Sequence, residues 1–176
     1  MEKEAERIHI PLTNECHLRC SFCLNSKKEQ SNIYKLSPTL IKKYLIFAKE
    51  LNCHEIEFGL LIGEPFLYPV SDWKKILTFA KLIKHKVISF FTSGIVYRED
   101  LLLFLNEITS KDFQIDIKLS LYADNQDDFM KRCSPKELDT NESFYNIEKN
   151  INFINNLKNN FFTVSVENRT EKTNNN

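Results

Sequence analysis

The chain has 176 residues, 24 of them basic and 24 acidic, for a formal net charge of zero. That length points to one domain with a core large enough to need no disulfides. The balanced charge gives no electrostatic footprint for nucleic acid or an anionic membrane, although it leaves room for a locally basic groove. No run of about 18 apolar residues marks a transmembrane helix. The opening "MEKEAERIHI" lacks the basic, apolar and small-residue order of a signal peptide, so a cytoplasmic location is expected.

In chain order, a short β-like run, "RIHIPL", leads into the loop "NECHLRCSFCLN", which holds three of the five cysteines, Cys16, Cys20 and Cys23. "SPTLIKKYLIFAKEL" follows as a helix, with Ser37 as N-cap and Pro38 at its first position. Its apolar residues Leu40, Ile41, Tyr44, Leu45, Phe47 and Ala48 recur at helical spacing. "HEIEFGL" reads as a second strand and "SDWKKILTFAKLIKH" as a second helix, with Trp73, Ile76, Leu77, Ala80 and Ile83 on one stripe. "KVISFFT" is a third strand, "REDLLLFLNEI" a third helix and "FQIDIKLSLY" a fourth strand. "NESFYNIEKNINFINNL" is a fourth helix opening at Asn141, "FFTVSVE" a fifth strand, and "NRTEKTNNN" a polar tail.

Alternating strands and helices predict a parallel sheet with right-handed crossovers, α/β in class. In the fourth strand Phe113, Ile115, Ile117, Leu119 and Leu121 share one face, and Gln114, Asp116, Lys118 and Ser120 the other. The second strand sets Ile56 and Phe58 opposite Glu55 and Glu57, and the fifth sets Val164 and Val166 opposite Thr163, Ser165 and Glu167. A sheet covered on both faces would read almost continuously apolar. One polar face therefore predicts a partial (β/α) barrel of about five units, helices outside and a polar, ligand-holding concave side within. A sheet with one solvent-washed face is the alternative. The three glycines, Gly59, Gly63 and Gly94, all fall at the carboxyl ends of strands, the rim where α/β folds bind ligands.

Clustered cysteines in a cytosolic chain bind metal or do redox chemistry more often than they form disulfides. Structural zinc needs four closed ligands. His17 is adjacent to Cys16, and Cys53 with His54 starts the second strand, on the opposite rim, so neither completes a zinc set readily. A [4Fe–4S] cluster on three thiolates would instead leave one iron open to a small molecule. Cys53 and Cys133 read as small buried hydrophobes.

The spacing Cys16-x-x-x-Cys20-x-Phe22-Cys23, after a first strand, resembles the CxxxCxφC hallmark of the radical SAM superfamily, φ being aromatic. "IGEPFLYP" is similar to the family's GGEP segment, and "FFTSGI" to its TNG element. The stretch from Ile117 through the fourth helix resembles members that modify peptides and proteins. The first glycine of GGEP is Ile62 here and the asparagine of TNG is Ser93.

The resemblance implies a radical SAM core over residues 1–168, incomplete at its C-terminus beside the family's usual six strands, with a disordered tail over 169–176. It implies that Cys16, Cys20 and Cys23 ligate three irons and that S-adenosylmethionine takes the fourth. Phe22, Gly63, Glu64, Pro65, Ser93 and Ser120 would line that cofactor, with Phe22 near the adenine and Glu64 meeting the methionine ammonium. The implied reaction is one-electron cleavage to methionine and a 5′-deoxyadenosyl radical, acting on a peptide or protein, with a flavodoxin- or ferredoxin-like reductant. Asp116 and Lys118 read as a pair with each other or with Glu57, outside the site. Two other readings stand beside this one: a cluster-binding module that needs a second chain to complete the barrel or is degenerate, and a zinc-binding adaptor. No membrane partner is expected.

Overall fold

The computed structural model describes residues 6–20, 23, 33–60, 62–121, 133–135, 140–156 and 162–168. Five parallel strands form one sheet in the order β1-β3-β4-β5-β7. They are β1 (Arg7–Ile10), β3 (Glu55–Phe58), β4 (Val87–Thr92), β5 (Gln114–Leu121) and β7 (Phe162–Asn168). Helices α1 (Pro38–Glu50), α2 (Val70–Leu82), α3 (Glu99–Ile108) and α4 (Thr140–Asn155) connect them. These are the five strands and four helices expected from the sequence, with boundaries moved by at most three residues. The predicted tail, 169–176, lies outside the described residues. A pair that the sequence did not announce is the two-stranded antiparallel β2 (Leu18–Cys20) with β6 (Cys133–Pro135).

Two apolar rows cross the sheet. Ile8, Ile56, Ile88 and Ile115 stand in register, as do Ile10, Phe58, Phe90 and Ile117. Because side chains alternate along a strand, both rows lie on one face, and the helices cover that face. Trp73 of α2 sits over the second row, with ring centroids 5.1 Å from Phe58, 4.9 Å from Phe90 and 5.3 Å from Tyr68. Its indole N–H donates to the Pro65 carbonyl at 3.1 Å, so a polar edge of the core is used to hold a loop. Helix α1 begins as expected, its Ser37 hydroxyl accepting from the Leu40 N–H. Its apolar stripe divides, however. Ile41, Leu45 and Ala48 are buried, while Leu40, Tyr44 and Phe47 are 37%, 42% and 54% exposed. The stripe is wider than the part that the neighbouring elements cover.

The other face is polar but not open to water along its lower half. Glu57 is 1% exposed and Ser89 fully buried. Lys118 Nζ lies 2.8 Å from Glu55, 3.6 Å from Glu57 and 3.8 Å from Asp116. Arg7 donates to Glu57 at 3.3 Å, and the Ser89 hydroxyl donates to Glu55. The expected ligand-holding concavity is therefore filled here by the chain's own ion pairs, and Asp116 and Lys118 pair as the sequence suggested. Burial pushes the Glu55 carboxyl up, but hydrogen bonds from Lys118 and Ser89 outweigh it and hold it below its ordinary value of 4.5.

Two outcomes follow for stability. Trp73→Ala removes the ring packing and the bond to Pro65 together, and should cost about 3–5 kcal/mol in denaturant unfolding. The Glu55 contribution is present above its ordinary pKa and is lost as pH falls through the depressed folded value. Lys118→Met should therefore destabilise at neutral pH and flatten the loss of stability below about pH 4.5, followed by thermal unfolding against pH.

Candidate active site at the carboxyl rim

The segment after β1 is stitched at both ends of the cysteine loop. Thr13 pairs with Lys35 in an isolated bridge, and its hydroxyl donates to the Tyr34 carbonyl at 2.8 Å and accepts from the Glu15 N–H at 3.0 Å. Asn14 Oδ1 accepts from the Tyr34 N–H at 2.8 Å, and Lys35 pairs with Glu15 at 2.6 Å. Residues 13–15 and 34–35 thus form a neck from which the loop departs.

The Gly63–Pro65 segment, beyond β3, lies directly on that neck. Gly63 has φ +78°, and a Cβ there would fall 2.0 Å from the Thr13 carbonyl oxygen. Only glycine admits this approach without moving main chain. The next N–H, of Glu64, donates to the Glu15 carbonyl at 2.8 Å. The Glu64 carboxylate is 2% exposed and accepts four hydrogen bonds. Oε1 takes the Phe66 N–H at 3.1 Å and the Thr92 hydroxyl at 2.6 Å. Oε2 takes the Ser93 N–H at 3.0 Å and the Ser93 hydroxyl at 2.7 Å. A carboxylate has about four acceptor positions, so the chain's own donors fill it. Pro65 opens a 3₁₀ turn, Pro65–Leu67, that Glu64 caps.

Cys16 and Cys23 pack with Cys20, Leu18, Ile95 and Ile147 in a small apolar cluster separate from the main core. Cys16, Cys20 and Cys23 are thiols rather than disulfides. The Leu18 N–H donates to Cys16 Sγ at 3.4 Å, and the Cys23 N–H to the Cys20 carbonyl at 3.0 Å. Burial, and next the Glu64 carboxylate, push the Cys16 thiol from 9.0 up to about 12. Among the described residues no three His, Cys, Asp or Glu side chains gather around one metal-ion position. Three thiols packed in one small cluster, Cys20 buried and Cys16 and Cys23 half-buried, are a donor set that a [4Fe–4S] cluster can take, each thiolate binding a different iron.

The structure thus brings together Cys16, Cys20, Cys23, Gly63, Glu64, Pro65 and Ser93. Ser120 is buried on β5, one residue past Leu119, which stands in register with Thr92. Phe22 lies outside the described residues. Cys53 is on the opposite rim, buried as expected of a small hydrophobe, its thiol donating to the Glu55 carbonyl at 3.1 Å. A basic concavity of about 720 Å³ lined by His54, Lys81, Lys84, Lys86 and Lys111 is also on that rim, away from the thiols. Sequence reasoning missed two asparagines of α4. Asn150 Nδ2 donates to the Gly94 and Val96 carbonyls at 2.7 and 3.2 Å, and Asn146 Nδ2 to the Ile95 carbonyl at 3.0 Å, fixing the loop after β4. Asn150 Oδ1 is buried there without a partner among the described residues. Asparagine repeated at i and i+4, beside Ile147 and Ile151, was the available signal.

Similarity to known proteins agrees with this arrangement. No curated protein matches. Among solved structures, anSMEcpe with bound AdoMet superposes with a TM-score of 0.64 at 19% identity, over 91% of this chain and 43% of that one. The same protein with AdoMet and the Cp18Cys peptide gives 0.68 at 18%, over 91% and 42%. Streptococcus suis SuiB bound to S-adenosylmethionine gives 0.57 at 18%, over 96% and 42%. The chain therefore spans about two fifths of these relatives, and at such identity the likeness speaks for the fold. The family model of the radical SAM superfamily matches residues 10–173. That match covers nearly the whole of the chain, which belongs to the radical SAM superfamily.

Proposed function

We propose that this chain is the core of a radical SAM enzyme that binds a [4Fe–4S] cluster through Cys16, Cys20 and Cys23, with S-adenosylmethionine beside it, and acts on a peptide or protein. The observation that carries this reading is the clamp of Gly63 and Glu64 on the neck of the cysteine loop, which sets the cofactor segment against the ligand loop. When bound, the group supplies one-electron reduction of the sulfonium to methionine and a 5′-deoxyadenosyl radical. The residues of this chain hold and shelter it. Leu18, Ile95 and Ile147 exclude water around the thiols. Gly63 lets main chain approach. Glu64, with its acceptor positions filled, meets the methionine ammonium by exchanging a donor or by presenting the adjoining carbonyls. Ser93 and Ser120 offer hydroxyls along the rim, and Phe22 an aromatic face. A peptide substrate is supported by SuiB, solved bound to its precursor peptide SuiA, and by anSMEcpe with its peptides. The electron donor would be a flavodoxin or ferredoxin.

A second reading is a cluster-binding module that turns over only with another polypeptide. It is favoured by β7 standing at an edge of the described sheet, with one side left for a further strand.

After anaerobic reconstitution with iron and sulfide, Cys16→Ala, Cys20→Ala and Cys23→Ala should each lose the brown absorbance and most bound iron, whereas Cys53→Ala keeps both. Bound zinc with no such absorbance in the unaltered chain would overturn the proposal. With dithionite and S-adenosylmethionine the loaded chain should release 5′-deoxyadenosine, read by chromatography; a loaded chain that releases none favours the module. Glu64→Gln keeps one acceptor oxygen and sets an amide against two of the four donors. It should lower stability by about 1–3 kcal/mol while iron content is retained.

A further inference from the structure

Cys133 stands outside the cysteine motif, yet the fold carries it there. In the β2–β6 pair Leu18 faces Pro135, Arg19 faces Ser134 and Cys20 faces Cys133. Facing residues of an antiparallel pair alternate between those that exchange N–H···O bonds, with Cα atoms about 5.5 Å apart, and those that do not, about 4.5 Å apart. The class of the cysteine pair follows from its neighbours. Proline has no N–H, so Pro135 cannot exchange bonds with Leu18. The Leu18 N–H is in any case directed to Cys16 Sγ. Leu18–Pro135 is therefore a non-bonded pair, and by alternation so is Cys20–Cys133. The Cys20 carbonyl agrees, since it accepts from the Cys23 N–H. A Cα separation of about 4.5 Å falls within the range of roughly 4.4–6.8 Å that a disulfide spans.

We propose that Cys20 and Cys133 are a dithiol–disulfide site, closing across the β2–β6 pair when no cluster is bound and so withholding one ligand thiol. The proposal rests on the reading of Cys20 as a cluster ligand. The oxidant is a peroxide, small enough to reach Cys20, which is 7% exposed. One thiolate attacks the peroxide oxygen and becomes a sulfenic acid as hydroxide leaves; the second sulfur attacks the sulfenic sulfur, the S–S bond forms and water leaves. Two electrons and two protons pass from the dithiol to hydrogen peroxide, which becomes two waters. A small dithiol reverses the step. A sulfur held in the disulfide is not a thiolate and cannot ligate iron. A loaded cluster in turn occupies Cys20 and blocks the closure.

The test is disulfide mapping of the metal-free chain. The protein is treated anaerobically with hydrogen peroxide, alkylated, digested without reductant and sequenced by tandem mass spectrometry. The dominant cross-link should join Cys20 to Cys133, and iron uptake by the oxidised chain should be largely lost and restored by dithiothreitol. Cys133→Ser, treated the same way, should keep iron uptake after a mild peroxide dose that blocks the unaltered chain. A Cys133 that is alkylated, or cross-links only among Cys16, Cys20 and Cys23, would overturn the proposal. Iron uptake by the never-oxidised chain separates the two readings. If that chain fails to bind iron, the cluster assignment falls whatever the cross-link; if it binds iron and the cross-link is missing, the disulfide site alone falls.

Discussion

Glu64 is a buried carboxylate whose two oxygens meet four donors drawn from two separate segments, its own 3₁₀ turn and the end of β4. A charge out of water is tolerated only with such hydrogen bonding, and once they are in place the segments cannot drift apart without stranding several polar groups. The same residue's N–H holds the Glu15 carbonyl, one residue before Cys16. The cysteine loop, the β3 rim and the β4 rim are therefore positioned by one constraint. On the core side, Trp73 fixes the Pro65 carbonyl and ties the arrangement to the aromatic packing under the sheet.

Below the rim the arc does different work. Glu55, Glu57, Asp116, Lys118 and Arg7 pair with one another on a face that is largely closed. Stability and chemistry are thus layered along the strand direction: satisfied ion pairs at the lower level, loops with glycine and hydroxyl side chains at the carboxyl ends. This is the division expected of β/α arcs, whose loops vary while the strands below stay packed.

Much of this was legible in the sequence because period and spacing are local signals. The alternation in "FQIDIKLSLY" gave the two faces of β5, and Ser37–Pro38 gave the start of α1. The thiol spacing together with Gly63–Glu64–Pro65 gave the rim. What was not legible depends on residues distant in the chain. Nothing in "CSP" states that it will pair with "LRC" more than a hundred positions earlier, and three-residue strands carry too little period to be read. The exposure of Leu40, Tyr44 and Phe47 depends on which neighbours arrive, and a helical stripe does not say how much of itself will be covered. The four donors that meet Glu64 were not legible either, because the Phe66 N–H, Thr92 and Ser93 are brought to it only by the fold.

The contact of Gly63 with the Thr13 carbonyl is a meeting of main chain with main chain. Such a contact has no interest in side-chain identity except at the glycine itself. A rim held in this way admits change at its side chains, as at Ile62, which stands where the related segment has its first glycine. That contact is carried by peptide groups, which every sequence supplies, so the residues beside it are at liberty to change while Gly63 is not.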